Sequence, residues 1–170
     1  ITHSSVAANS SYKVDTTAPT VSSVAITSAT GIQNNLLNAG DVISVTATFS
    51  ENVPVTGTPQ LTLVVGGTNR TATYTSGSGS TPLVFQYTIQ SGEADSDGIS
   101  IGADALALNS GTIKDAAGND ATITHSSVAA NSSYKVDTTA PTLAETTVVP
   151  SLTNDNSTQY TFSSSEGGTI

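Results

Sequence analysis

ITHSSVAANSSYKVDTTAPT occurs twice in this 170-residue chain, at Ile1–Thr20 and again at Ile123–Thr142, with all twenty residues identical and an offset of 122 residues. A self-match at a fixed spacing sets an architecture before any single strand is assigned. Twenty identical residues are too many for chance or for a shared turn motif. A duplication without functional meaning is the plain alternative. The period argues against it, because a β-sandwich domain takes roughly 100 residues. The chain therefore reads as a piece of a tandem array. Residues 1–15 are expected to be the last strand of a preceding repeat, residues 16–137 a complete repeat, and residues 138–170 the beginning of a following, divergent one. The divergence starts after Pro141, where Leu143-Ala144-Glu145-Thr146 stands in place of Val21-Ser22-Ser23-Val24.

Outward from the repeat, Val14–Thr20 reads as a linker, since Pro19 forces an extended approach and blocks a helix. Thr20–Thr30 alternates well enough for a first strand. Val42–Ser50 places Ile43, Val45, Ala47 and Phe49 on one face, the mark of a half-buried strand. Gln60–Val65 and Arg70–Thr75 flank a Gly66-Gly67-Thr68-Asn69 turn and read as a hairpin. Pro82–Gln90 puts Leu83, Phe85, Tyr87 and Ile89 on one face. Ile99–Ile113 reads as a sixth strand, broken near Ala103–Leu108 where a short helical turn fits, and Ala121–Val136 reads as the seventh. Seven short strands with turns at hairpin spacing predict an all-β antiparallel sandwich, with a barrel as the alternative. The expected core is Ile43, Val45, Phe49, Leu61, Leu63, Leu83, Phe85, Tyr87 and Ile89.

Composition narrows the function classes. Charged residues are only 10%, yet hydrophobic residues reach 36% and recur in alternating runs, which argues against disorder. The formal net charge is −9, with Lys13, Arg70, Lys114 and Lys135 as the only cations. Nucleic acid is therefore not an expected partner, because phosphate binding needs clustered Lys and Arg. Anionic membrane surfaces are disfavoured for the same reason. There is no cysteine, so a secreted domain of this kind must be held by its core or by metal. No signal peptide and no apolar run of spanning length occurs; both are expected elsewhere in a longer parent chain.

Glu51, Glu93, Asp95, Asp97, Asp115 and Asp120 fall in predicted loops. With strands alternating in direction, Asp15, Glu51, Asp115, Asn119 and Asp120 gather at one pole, and Asp41, Glu93, Asp95, Asp97 and Asp137 at the other. Like charges on neighbouring loops repel unless a cation lies between them. Ca²⁺ takes 6–8 oxygen ligands. The metal-ligand candidates are accordingly Asp15, Glu51, Asp95, Asp97, Asp115, Asn119, Asp120 and Asp137, with Ca²⁺ as the ion. Against this, Asp-Ser-Asp-Gly and Asp-Ala-Ala-Gly-Asn are good turn sequences with no metal at all. The spacing of an EF-hand is missing. His3 and His125 hold the same place in the two copies, far from Cys or other His, and read as solvated strand histidines rather than zinc ligands.

The motifs Val14–Pro19 and Val136–Pro141 (VDTTAP), Phe49–Val53 (FSENV) and Asp115–Asn119 (DAAGN), in this order and spacing, give a chain that resembles a tandem bacterial immunoglobulin-like repeat of a giant secreted or surface adhesin of the RTX type. The resemblance covers residues 1–142; residues 143–170 resemble the opening of a second subtype. It implies an immunoglobulin-like sandwich of about seven strands, an extracellular or cell-surface location, calcium in many members, and a spacer role that projects a terminal binding domain.

The leading expectation is thus a non-catalytic extender repeat stiffened by Ca²⁺ at domain poles and junctions, whose partners are neighbouring repeats of the same chain. The alternatives are a repeat that itself binds glycan or ice, and self-assembly with other copies into an extracellular filament, with Ile1–Val14 completing a neighbour. Aromatics at 5% without Trp supply a sugar platform poorly. An enzyme is not expected: Ser-Gly-Ser-Gly-Ser lacks the G-x-S-x-G order, and no Gly-rich loop ends in Gly-Lys-Ser/Thr. The N-x-[ST] triplets at Asn9, Asn69, Asn131 and Asn156 arise readily in so Ser/Thr-rich a chain.

Overall fold

In the computed structural model, residues 5, 7, 9, 11–147, 154, 156 and 161–167 are described, and among them there is no helix. The strands are β1 (Val21–Thr30), β2 (Leu36–Leu37), β3 (Val42–Val53), β4 (Val55–Thr56), β5 (Gln60–Val65), β6 (Thr68–Ser76), β7 (Ser80–Thr88), β8 (Ala94–Asp95), β9 (Leu106–Ala107), β10 (Thr112–Ile113), β11 (Lys135–Asp137), β12 (Leu143–Thr147) and β13 (Thr161–Ser164). Contacts divide the chain into two units, Ile1–Thr138 and Thr139–Ile170.

Six strands of the first unit form one antiparallel sheet in the order β1-β3-β7-β6-β5-β9. Its centre follows from period-2 alternation. Ile43, Val45 and Ala47 of β3 stand opposite Tyr87, Phe85 and Leu83 of β7. In β1 the apolar residues Val21, Val24, Ile26 and Ala29 are spaced three, two and three apart, which a regular strand would scatter over both faces. Register shifts at Val21/Ser23 and Ile26/Ser28 each absorb one extra residue. As a result all four face the same side, opposite Phe49, Ala47, Val45 and Ile43.

The β5–β6 hairpin turns on Gly66 and Gly67, whose φ values of 54° and 77° suit a two-residue turn of this kind. A Cβ on Gly66 would come within 2.0 Å of the Ala94 carbonyl oxygen, so the hairpin tip presses against β8.

The opposite side of the core is closed by smaller pieces. β11 lies between β2, with which it is parallel, and β8, with which it is antiparallel; β10 pairs with β4. Leu37, Ile99, Ile101, Ile113 and Val136 join the inward residues of the large sheet in a single apolar cluster. The result is an all-β antiparallel sandwich whose larger sheet curls around the core. Of the nine expected core residues, eight are buried; Tyr87 is half-buried.

Two predicted strands do not form as such. Ile99–Ile113 is cut by left-handed backbone at Asp104 (φ 53°), Asn109 (φ 47°) and Ser110 (φ 62°), which leaves β9, β10 and isolated bridges, and the helical turn near Ala103–Leu108 is absent. Ala121–Val136 is an irregular ribbon held to the 99–105 segment by separate bonds. These run between Ile101 and Val128 in both directions, from Asp104 N–H to His125 O and from Ile99 N–H to Tyr134 O. Its small Ser, Ala and Asn residues give no alternating apolar face, and only Lys135–Asp137 forms a ladder. Of the last strand expected over residues 1–15, residues 1–4, 6, 8 and 10 lie outside the described residues, and residues 5, 7, 9 and 11–15 carry no strand within this chain, which holds no sheet of a preceding repeat for them to join.

The second unit holds the antiparallel pair β12–β13, with Thr142 and Ser165 bonded across it in both directions. Its strands are exposed throughout.

Candidate metal centre

Glu51 lies near the end of β3, and Asp115 lies two residues beyond the end of β10. The β4–β10 pair and a bond from Lys114 N–H to Pro54 O draw these two chain ends together. The linker is stitched in beside them. Ser50 N–H donates to Thr20 O, Thr122 N–H donates to Pro19 O, and Pro19 is buried. Asn119 supplies the remaining ties, donating its side-chain amide to Asp15 O (3.1 Å), Thr17 O (3.4 Å) and Asp115 Oδ2 (2.6 Å).

Asp15, Glu51 and Asp115 consequently each offer a carboxylate oxygen within 4.8 Å of the others, the one such set of three among the described residues. Asp15 is exposed, Glu51 half-buried and Asp115 buried. Two like charges about 4 Å apart repel by about 1 kcal/mol in water and about 4 kcal/mol near a protein surface. Burial pushes the Asp115 carboxyl up. Hydrogen bonds from the Asn119 side chain and from the backbone amides of Asn119, Gly118 and Ala117 overrule it and hold the group below the usual carboxylate range. The turn that aims those amides needs Gly118, whose φ is 97°. The geometry thus keeps a buried anion charged beside two others, a donor set that suits a hard cation with oxygen ligands.

The remaining candidates lie elsewhere. Asp120 is exposed and pairs with Lys114 at 3.0 Å. Asp97 is exposed. Asp95 is buried with both oxygens turned to backbone amides, Oδ1 accepting from Gly98 and Oδ2 from Gly66, at 2.8 and 2.7 Å. Asp137 lies in β11 opposite Ala94. The Asp-Ser-Asp-Gly stretch is therefore a turn that seats the hairpin tip, and its two acids do not converge with Asp137 into a set of three.

Glu93 has a role that loop composition did not reveal. It is buried, ion-paired with Arg70, and accepts from Tyr87 Oη (2.6 Å) and the Gln90 amide (2.9 Å). Desolvation, reinforced by the Glu93 hydrogen bond and charge, pushes the Tyr87 phenol up to about 12; Arg70 opposes this. A single Arg on an otherwise uncharged strand was the available sequence signal. A buried carboxylate needs such a partner.

His125 is half-buried rather than solvated. Its Nε2 accepts from the Ala105 amide at 2.9 Å, so Nδ1 carries the proton and donates to Ser126 O at 2.9 Å. Neither nitrogen is left for zinc. His3 lies outside the described residues. At His125 runs an open groove of about 670 Å³, lined by Val21–Val24, Ala103, Asp104 and residues 124–128, with no Phe, Tyr or Trp among them. No family model, no curated protein and no solved structure matches this chain.

Proposed function

We propose that this chain belongs to the extender region of a bacterial surface adhesin, outside the cell, as a non-catalytic spacer repeat whose linker is pinned by calcium at Asp15, Glu51 and Asp115. The observation that carries this reading is the convergence of a linker carboxylate with two carboxylates of the sandwich. A cation there joins the linker to the body and removes the repulsion that would otherwise splay them. The repeated linker supports the same reading, since Val136–Thr142 repeats Val14–Thr20 residue for residue. A spacer needs length and stiffness rather than a unique surface. The groove at His125 is lined by no Phe, Tyr or Trp, the rings that best stack on a sugar.

Calcium at modules of this kind binds weakly, with Kd values of about 10⁻⁴ to 10⁻³ M outside cells. At roughly ten times Kd, an ion bound only by the folded state adds about 1.4 kcal/mol. That corresponds to about 3–6 °C in melting temperature for a domain of this size. The test is differential scanning calorimetry of the chain with about 10 mM calcium, as set by that Kd range, and with chelator, on the wild type and on Asp15→Asn. X-ray scattering on a multi-repeat chain reports extension in parallel. A calcium-dependent rise in melting temperature that Asp15→Asn removes supports the reading. Identical melting and identical maximum dimensions in both conditions overturn it.

A further inference from the structure

We propose that Thr138 is a latch that fixes the outgoing linker to the sandwich through hydrogen bonds that need no metal ion. Its hydroxyl accepts from Gly92 N–H at 2.9 Å and donates to Glu93 O at 2.9 Å. A hydroxyl can donate and accept together, which no apolar side chain of the same shape can do. Gly92 and Glu93 lie in the turn between β7 and β8, and Thr138 follows β11 directly. One side chain therefore closes that turn onto the chain just past its last ladder residue.

The turn is a firm anchor. Glu93 is buried, and its carboxylate is ion-paired with Arg70 of β6 and accepts from Tyr87 Oη of β7 and from Gln90 N–H. Moving the Glu93 carbonyl disturbs a buried charge whose partners sit on two strands of the large sheet, a costly change. The network thereby passes the rigidity of that sheet to the linker.

The two linker copies show what the latch adds. In the outgoing copy, Val136 is buried, Asp137 and Thr138 are half-buried, and the chain is exposed from Thr139 to Thr142. In the incoming copy the hold begins with the Asn119 bonds to Asp15 O and Thr17 O and is completed by buried Pro19. Thr16, which holds the place of Thr138, is exposed there. The incoming side thus ties the neighbours of this position and leaves its side chain in solvent; the outgoing side takes that side chain. A linker of this sequence joining two such sandwiches is held along its length by alternate grips. The proposal deepens the spacer reading by naming what holds the linker without an ion.

The test is amide hydrogen exchange, read by NMR, on the full chain in chelator, where the calcium site plays no part. Gly92 is an exposed turn residue, so its amide is protected only if Thr138 holds it. Thr138→Val speeds its exchange by about two- to tenfold, the range that one net hydrogen bond carries. Thr138→Ser keeps the hydroxyl and the protection. Thr16→Val, the same change in the first copy, leaves Gly92 as it was. The Lys135 amide, bonded to Asn35 O beside β2, stays protected in all three variants, which separates loss of a latch from loss of β11. In Thr138→Val, nitrogen relaxation shows added backbone motion at Thr139 and Ala140. A wild-type Gly92 amide that exchanges like any exposed turn overturns the proposal, whatever the variants do. So do a Gly92 rate that ignores Thr138→Val, a Thr138→Ser variant that behaves like it, and equal loss of protection at Lys135. An insensitive Gly92 leaves the calcium site standing, and a chain that ignores calcium leaves the latch standing.

Discussion

The two copies of the twenty-residue segment have one sequence and two structures. In the second copy, Lys135–Asp137 is a strand with Val136 sealed into the core; in the first, residues 12–15 carry no strand and Val14 stands in solvent. The difference teaches that strand formation here is a property of the site rather than of the segment. β-propensity is largely a measure of fit to a half-buried pleated surface. For Val136 that surface is supplied by Leu37 and Asp95. The last residues of the first copy have a separate role. Asp15 and Thr17 are tied by Asn119 to the opposite end of the sandwich, and Pro19 is buried there. Within this chain the second copy closes a core, and the last residues of the first anchor a linker.

The widest way to break this comparison is to damage the core that Val136 joins. Phe85 is fully buried and meets Tyr74 edge-on with ring centroids 5.9 Å apart. Phe85→Ala is expected to cost about 3–5 kcal/mol in urea unfolding. An unchanged midpoint would remove the core to which the second copy owes its structure. The same substitution in the two copies then sharpens the contrast. Val136→Ala should cost about 2 kcal/mol, from lost burial and a residual cavity. Val14→Ala should stay within about 0.5 kcal/mol, as exposed sites do. Equal effects would mean that the two environments are the same.

Two pH dependences test the groups that hold each end. Asp115 is kept below the ordinary carboxylate value in the fold. Its contribution is therefore fully present above about pH 4, the unfolded value, and lost as pH falls through the lower folded one. Asp115→Asn should flatten that part of the acid unfolding profile. Tyr87 is the opposite case. Its phenol is raised to about 12, so stability is unaffected below about pH 10 and falls between about 10 and 12. In absorbance titrations, Tyr87→Phe should remove the component that ionises near pH 12.

Most of the large sheet was legible in the sequence because its strands alternate strictly. Leu83, Phe85, Ile43 and Val45 announce their face by spacing alone. Tyr87 shares that alternation, yet its hydroxyl must reach Glu93, which keeps it half-buried. β1 was legible as a strand, but its apolar spacing makes sense only with two bulges, and those belong to the partner strand's register. The 99–136 stretch was misread because Asp104, Asn109 and Ser110 adopt left-handed backbone that no pattern of apolar residues marks. At the candidate site, loop direction sufficed to bring Asp15, Glu51, Asp115 and Asn119 to one pole. It did not separate a carboxylate that faces solvent from one such as Asp95, whose oxygens are taken by Gly66 and Gly98. That distinction depends on where the β5–β6 hairpin tip lands, a long-range contact.

The smallest expected effect concerns Asp15, the residue through which the first copy meets the sandwich. Its side chain is exposed and accepts a bond from Thr17 N–H at 3.0 Å, which an asparagine oxygen can also accept. In chelator, Asp15→Asn therefore retains the linker turn and relieves repulsion from Glu51 and Asp115. The expected change is a gain of about 1 kcal/mol or less, the repulsion of an exposed pair about 4 Å apart in water. In calcium the sign reverses, since the variant forfeits the stabilisation an ion brings to the folded state alone. Chemical denaturation of both proteins under both conditions gives four midpoints. The informative quantity is their double difference, in which any purely structural effect of the substitution cancels. A double difference near zero would leave the three carboxylates as neighbours without an ion. A loss of 1 kcal/mol or more already in chelator would show that the Asp15 carboxylate is held by the fold itself, and the first copy would then be anchored at the sandwich pole by charge as well as by the Asn119 bonds.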